Sequence, residues 1–128
     1  MVPIDENEKL LLQHILQCGG AFLEAHKEFY PFGMAMGYDF EIYTIAASDG
    51  NEFPNSQDLI SLLEKILSSG INEGNYLLCA ICYDIYLKET INGMERKRDA
   101  IKICFIANDH KNEVVLPYIF TSEGIIFE

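Results

Sequence analysis

The chain has 128 residues, 49% of them apolar, which suits one domain with a sizeable core and excludes a disordered chain. Nine basic residues against twenty acidic ones give a net charge of −11, which disfavours a sequence-independent grip on nucleic acid because phosphate contacts need clustered Lys and Arg. The acidic N-terminus lacks the order of a signal peptide, and no apolar run reaches the length of a membrane span. We therefore expect a single domain over residues 1–128 with neither a nucleic-acid partner nor a membrane partner.

All four cysteines lie inside apolar segments, where reduced cytosolic cysteines act as small buried hydrophobes: Cys18, Cys79, Cys82 and Cys104. Cys79 and Cys82 have the spacing of a redox or zinc half-site, but they lie in an apolar strand that sends their sulfurs to opposite faces. A zinc site would also need a second paired set of ligands. We expect a cytoplasmic protein with free thiols, no metal and no cofactor.

The first predicted helix opens on a capping-box-like pair, Asp5 and Glu8. Apolar residues then recur at three- and four-residue steps and predict one buried stripe: Leu12, Ile15, Leu16, Gly19, Phe22, Leu23 and His26. Each glycine of the Gly19-Gly20 pair costs about 1 kcal/mol in a helix, so the pair marks either a break or a close approach to the sheet. We favour one helix from Asp5 to Glu28, ended by Pro31.

After Pro31 the pattern alternates with a period of two, which predicts a strand with one bulky and one nearly bare face. The bulky residues are Phe32, Met34, Met36 and Tyr38, and the small ones are Gly33, Ala35 and Gly37. A bare face is what a helix lying directly on a sheet would need. Asp39-Phe40 predicts a tight turn into a second strand over 41–47, which completes a hairpin.

A second helix is predicted after Pro54, Asn55 and Ser56, and Gly70 is expected to close it. Its one-sided apolar face consists of Leu59, Leu62, Leu63, Ile66 and Leu67. We expect Leu59, Leu63 and Ile66 to lie on the sheet.

Three apolar, β-branched and aromatic runs between Tyr76 and Phe120 predict an antiparallel meander. Asn92-Gly93 is the strongest turn signal, within a loop expected over 90–98. Five of the nine basic residues gather around this loop: Lys88, Arg96, Lys97, Arg98 and Lys102. Pro117 suggests a free edge or a bulge in the third run, and a short strand, Ile125–Phe127, is expected to follow.

Asp84 interrupts an apolar strand, so its carboxylate must be paired, exposed or functional, because burying it alone is costly. We expect an exposed cross-strand pair with Lys102. His14, His26 and His110 are expected to be exposed, and a catalytic role would need a partner carboxylate that sequence cannot place.

Aromatic and acidic residues cluster around the first hairpin, and tyrosine is favoured at binding surfaces that are apolar at one end and wet at the other. We predict a partner-binding surface there: Tyr38, Asp39, Glu41, Tyr43, Asp49 and Glu52. In the competing interpretation, these acidic residues only keep the protein soluble.

Four segments resemble a pattern in small bacterial cytosolic proteins, some of them similar to immunity proteins of toxin systems. These segments are EFYPFGMAMGYDFEI, CYDIYL, RDAIKICF and VVLPYIF. The sequence has Asp39-Phe40 where that pattern usually has an Asp-Gly turn. The resemblance brings over no catalytic residue.

The predicted architecture is α+β: a helix, a β-hairpin, a second helix and an antiparallel meander, forming one helix-covered sheet. The predicted function is a non-enzymatic binding protein, in its sharpest form an immunity-like inhibitor of a basic protein partner. The alternatives are a small enzyme using Asp84, tyrosines and a histidine around a pocket, or a homodimeric structural module.

Overall fold

Six antiparallel strands form one curled sheet in a computed structural model that describes residues 5–48 and 50–128. The spatial order of the strands is β2-β1-β3-β4-β5-β6. The α+β architecture expected from the sequence is confirmed. The elements are α1 (Glu6–His26), β1 (Phe32–Met36), β2 (Ile42–Ile45), α2 (Ser56–Asn72), β3 (Leu78–Ile91), β4 (Met94–Ala107), β5 (Lys111–Thr121) and β6 (Gly124–Phe127).

The two helices cover opposite faces of the sheet. Leu11, Ile15 and Leu23 of α1 belong to one core cluster, which also contains Cys82. Leu63 and Leu67 of α2 belong to a second cluster, which contains Cys79. The prediction that Cys79 and Cys82 face opposite sides is therefore confirmed, and all four cysteines are free thiols.

Helix α1 begins with the predicted capping box and runs unbroken through Gly19-Gly20. It ends at His26 because Lys27 takes a left-handed conformation (φ 65°), two residues before the predicted end. The buried line is Glu8, Leu11, Ile15, Gly19 and Leu23. Leu12 and Leu16 of the predicted stripe are partly buried and pack against this core, whereas the stripe was wrong at Phe22 and His26, which are exposed.

Helix α2 lies on the bare face of β1, as the alternation of small residues predicts. A Cβ added to Gly33 would lie 3.1 Å from Leu67 Cδ1 and 3.2 Å from Leu63 Cδ2. The expectation that Ile66 lies on the sheet is wrong, since its side chain is 40% exposed.

Gly70 does not close α2, contrary to the prediction, because the helix continues to Asn72. A Cβ on Gly70 would lie 2.4 Å from two ring atoms of Tyr76, which packs against this turn of the helix. The glycine is thus explained by this close approach and not by a helix end.

The loop predicted over 90–98 is instead the tip of a long hairpin. Both strands continue to a two-residue turn at Asn92 (φ 53°) and Gly93 (φ 78°), the geometry that an Asn-Gly turn favours. On β3, pairing with β1 stops at Cys82, and on β4, pairing with β5 stops at Ala100. The hairpin therefore extends beyond the sheet as a two-stranded arm, which carries four of the basic residues.

Strand β5 has a free edge up to Pro117, one of the two alternatives predicted there, because over residues 111–116 it pairs with β4 alone in the described part of the chain. Pro117 is the last residue of β5 that pairs with β4, opposite Ala100, and from Tyr118 onward β5 pairs with β6. A proline fits this position, where one ladder ends and the next begins. The predicted last strand is confirmed as β6, and β2 and β6 are the outermost strands of the sheet. Neither helix in the described ranges is long and apolar enough to cross a membrane.

Candidate binding surface at the first hairpin

The turn between β1 and β2 brings aromatic and acidic side chains together. Gly37 N–H donates to Glu41 O (2.9 Å), Phe40 N–H donates to Gly37 O (3.0 Å), and Asp39 Oδ1 accepts from Glu41 N–H (3.1 Å). Phe40 takes the left-handed conformation (φ 67°) that the usual glycine would take. The predicted Asp39-Phe40 turn is confirmed, and it fixes the hairpin without a flexible residue at its tip.

Large aromatic rings are exposed around this turn. Tyr38, Phe40 and Tyr43 are 59%, 57% and 49% exposed. A Cβ on Gly37 would lie 2.7 Å from Asp39 Oδ1 and 3.9 Å from Tyr43 Cε2. The bare Cα of Gly37 therefore lets the carboxylate and the Tyr43 ring converge on one spot.

Three of the four predicted acids of this surface lie in the described ranges, where they are exposed and have no cationic partner. Asp39, Glu41 and Glu52 are exposed, and among the described residues no Lys, Arg or His nitrogen lies within 4.0 Å of their carboxylates. Asp49 lies outside the described residues. The turn of the first hairpin therefore presents the uncompensated charges of Asp39 and Glu41 beside its aromatic rings, and Glu52 adds a third in the segment after β2.

Strand β2 is an edge of the sheet, so it has one side without a strand partner in the described part of the chain. Gly37 and Glu41 form a hydrogen-bonded pair, and in an antiparallel ladder such pairs alternate with non-hydrogen-bonded ones. With Met36 opposite Ile42 and Met34 opposite Thr44, the alternation turns the backbone groups of Ile42 and Thr44 outward. These groups are available to a strand from another chain.

A groove of about 610 Å³ lies at the far end of β2. Phe22, Phe29 and Phe32 line it, with ring centroids 5.4 to 6.1 Å apart. Ala46 and Ala47, which directly follow β2, form another wall. The sequence predicted the hairpin aromatics but not this groove, because its phenylalanines come from α1, from the loop before β1 and from the start of β1.

Asp84 is hydrogen-bonded to Tyr118, a partner that the sequence did not predict. Tyr118 O–H donates to Asp84 Oδ1 at 2.9 Å, across β4. Burial raises the pKa of Asp84, and the hydrogen bond from Tyr118 opposes that rise. The expected pair with Lys102 is wrong: Lys102 lies opposite Tyr83, on the other face, and its Nζ is 3.5 Å from Glu113 Oε2.

The histidines do not gather around Asp84. His14 Nδ1 lies 3.1 Å from Leu10 O, and His26 lines the groove at the end of β2. In the ranges described, no hydrogen bond joins any of the three histidines to Asp84. The enzyme alternative, with Asp84, tyrosines and a histidine around a pocket, stays a prediction.

Glu8 is a buried polar residue whose burial was not predicted from the sequence. Its side chain is 1% exposed and accepts hydrogen bonds from Asp5 N–H (3.3 Å) and Asn112 Nδ2 (3.5 Å). His110 Nε2 lies 3.8 Å from Glu8 Oε1, while Asp109, bonded to His110 Nδ1 at 2.7 Å, raises the pKa of the imidazole. The signal was in the sequence, since Glu8 precedes Leu11 and Ile15 by three and seven residues and so shares their face.

Asp5, Glu8 and His110 are also the described residues best placed to hold a metal ion, with ligand atoms all within 4.8 Å of one another. Protein contacts already account for each of them. Asp5 and Glu8 cap α1, and Asp109 orients His110. We assign this cluster to docking of the start of α1 onto the turn between β4 and β5.

Comparisons with protein-family models, curated proteins and solved structures find no match to this chain. The resemblance to small bacterial proteins therefore stays a prediction. The function has to be argued from the exposed surface itself.

Proposed function

We propose that the chain is a non-enzymatic binding protein whose partner is a basic protein segment, bound at the first hairpin and along β2. The observation that carries the proposal is that β2, whose outer side has no strand partner in the described part of the chain, lies beside exposed aromatic rings and uncompensated carboxylates. Main-chain hydrogen bonds to an edge strand supply affinity, and the side chains around it supply selectivity. The acids speed encounter with a partner of opposite charge.

An immunity-like inhibitor is the sharpest form of this proposal. Such a protein needs a rigid acidic surface that covers a basic site on its target. The structured turn at Asp39-Phe40 supports this form, because a preformed hairpin loses little entropy on binding. We place the binding in the cytoplasm, where the four free thiols stay reduced.

The charge part of the proposal is tested by capturing partners from the native cell and measuring affinity with the purified partner. The test variant changes Asp39, Glu41 and Glu52 to Lys. The matched control changes three exposed acids elsewhere, Glu64, Glu95 and Glu123, to Lys. Each change adds two positive charges, so both variants have a net charge of −5 in place of −11.

We expect the hairpin variant to lose binding at least tenfold and the control variant to lose much less. Equal losses would mean that only net charge matters, and undiminished binding by the hairpin variant would refute the site.

The edge-strand part is tested at Thr44. Thr44→Pro removes an outward N–H while leaving the bonds between β1 and β2 in place, since proline is tolerated on the free side of an edge strand. Thr44→Val keeps the N–H and serves as the control. Binding that is lost in the proline variant alone supports strand addition, whereas equal binding by both variants contradicts it.

A further inference from the structure

The groove at the end of β2 has an aromatic floor that is open to a ligand. The Phe22 and Phe32 rings meet edge to face at 81°, with centroids 5.4 Å apart, and Phe29 lies 5.5 Å from Phe32. Phe32 is buried while Phe22 is 37% exposed, so the cluster presents ring surface to the groove. A flat or elongated apolar group could lie against it.

The rim of the groove is negatively charged on one side. Glu28 is the carboxylate among the described residues that line it. The carbonyl end of α1, which carries partial negative charge, lies at His26, on the same rim. Among the described lining residues there is no Lys or Arg, and His26 is the one basic group.

The register of the sheet connects this groove to the free edge of β2. Gly33 pairs with Ile45, so the next residues outward, Phe32 and Ala46, lie opposite each other and point to the α1 face. Ala46 is therefore the β2-side neighbour of the phenylalanine floor. A strand added along β2 would place a side chain beside Ala46, about 5 Å away, on the face where the groove opens.

We propose that this groove is the anchor pocket of the binding site and takes an arginine side chain from the segment that pairs with β2. The inference rests on the proposed function and specifies its partner: an extended basic segment with one arginine on the α1 face. The methylene stem and the guanidinium plane would lie on the phenylalanine rings, and the guanidinium would donate to Glu28.

Arginine fits this site better than the other side chains that an apolar floor would accept. Its planar guanidinium stacks on aromatic faces, loses hydration more readily than an ammonium, and donates two parallel hydrogen bonds to a carboxylate. Lysine would supply the charge without the stacking. A leucine or phenylalanine would fill the floor but leave Glu28 without a counter-charge.

The test is selection of a random twelve-residue peptide library on the full chain, followed by affinity measurements on synthetic copies of the selected peptides. Selected peptides are compared with copies in which citrulline replaces the arginine, which keeps the shape and removes the charge. Glu28→Gln and Phe22→Leu test the rim and the floor. The matched controls are Glu64→Gln, an exposed helix acid, and Phe53→Leu, an exposed ring outside the groove.

The expected result is arginine enriched at one position, with affinity falling about tenfold on the citrulline exchange or with Glu28→Gln, as loss of a hydrogen bond to a charged group predicts. Phe22→Leu should weaken binding several-fold, while both control variants bind as the wild type does. Peptides that lose binding with Thr44→Pro but show no basic preference, or are insensitive to Glu28→Gln, overturn the anchor alone. Peptides insensitive to Thr44→Pro, or no enrichment at all, overturn the edge site and with it the proposed function.

Discussion

The contact between α2 and the sheet makes a quantitative prediction for Leu63→Ala. Leu63 is fully buried, and its Cδ2 lies 3.2 Å from where a Cβ on Gly33 would be. The change removes three carbons, worth about 2.4 kcal/mol at about 0.8 kcal/mol per carbon. Because Gly33 has no side chain to move into the space, a cavity cost brings the expected loss to about 3–4 kcal/mol of unfolding free energy.

Urea unfolding followed by circular dichroism measures this loss as a lower midpoint at an unchanged slope. Ile66→Ala on the same helix is the control, since Ile66 is 40% exposed and its truncation should cost less than about 1 kcal/mol. A loss below about 1 kcal/mol for Leu63→Ala, or equal losses for the two variants, would refute the packing of α2 on β1.

A double-mutant cycle with Gly33→Ala sharpens the test. In the wild type the added Cβ is crowded by Leu63 and Leu67, so we expect a cost of about 1 kcal/mol. In the Leu63→Ala background the Cβ enters vacated space and the cost should shrink or reverse. A coupling of about 0.5 kcal/mol or more is expected, and simple additivity would contradict the contact.

Two further variants test the sheet and α2. Asp84→Asn should raise the unfolding midpoint at pH 7. Burial raises the pKa of Asp84 in the folded protein, so the ionised carboxylate destabilises the fold above that pKa. The side-chain oxygen of Asn can still accept the hydrogen bond from Tyr118 O–H. The gain should vanish as the pH falls below the normal range for aspartate, and a midpoint that falls at pH 7 would contradict this reasoning. Gly70→Ala should destabilise by about 1–3 kcal/mol because its Cβ meets the Tyr76 ring, whereas Gly19→Ala, whose Cβ meets nothing within 4 Å, should stabilise by up to about 1 kcal/mol. Equal effects at the two glycines in urea unfolding would argue against the Tyr76 contact.

Local sequence signals predicted the elements well where the chemistry is local. The Asp5–Glu8 capping box, the Asn92-Gly93 turn and the bare face at Gly33 are each confirmed. The pairing of Asp84 was also within reach of sequence reasoning. Counting back from a two-residue turn places Ile91 opposite Met94 and therefore Asp84 opposite Ile101, which puts Lys102 on the other face.

Tertiary choices could not be read from the sequence in the same way. No local sequence signal predicts that β5 stops pairing with β4 at Pro117 and then pairs with β6, because a proline shows only that one backbone N–H donor is missing. The groove likewise needs Phe22 from α1 to meet Phe32 from β1. Contacts between different elements are decided by tertiary packing and not by the hydrophobic period of each element.

The edges at the two outermost strands, β2 and β6, differ in how they are covered, and this difference favours β2 over β6 as the binding edge. At the β6 edge, Glu24 on α1 accepts a hydrogen bond from Ile125 N–H at 3.1 Å, and Glu128 forms an ion pair with Arg98. No comparable side-chain bond covers the outward groups of Ile42 and Thr44 in the ranges described. An exposed edge that the chain leaves open is where strand addition is expected.

Electrostatics then separates a basic partner from a second copy at that edge. A second copy carries the same net charge of −11 and the same exposed Asp39 and Glu41, so pairing two β2 strands would bring two acidic surfaces together. Added salt screens that repulsion, so a homodimer through β2 should tighten as ionic strength rises, whereas a complex with a basic segment should weaken. Light scattering of the chain alone and affinity for an arginine-containing selected peptide, each measured from about 0.05 to 0.5 M salt, distinguish the two. A dimer that forms at low salt and resists dilution would count against the basic partner, because the repulsion that directs β2 toward such a segment would then be absent.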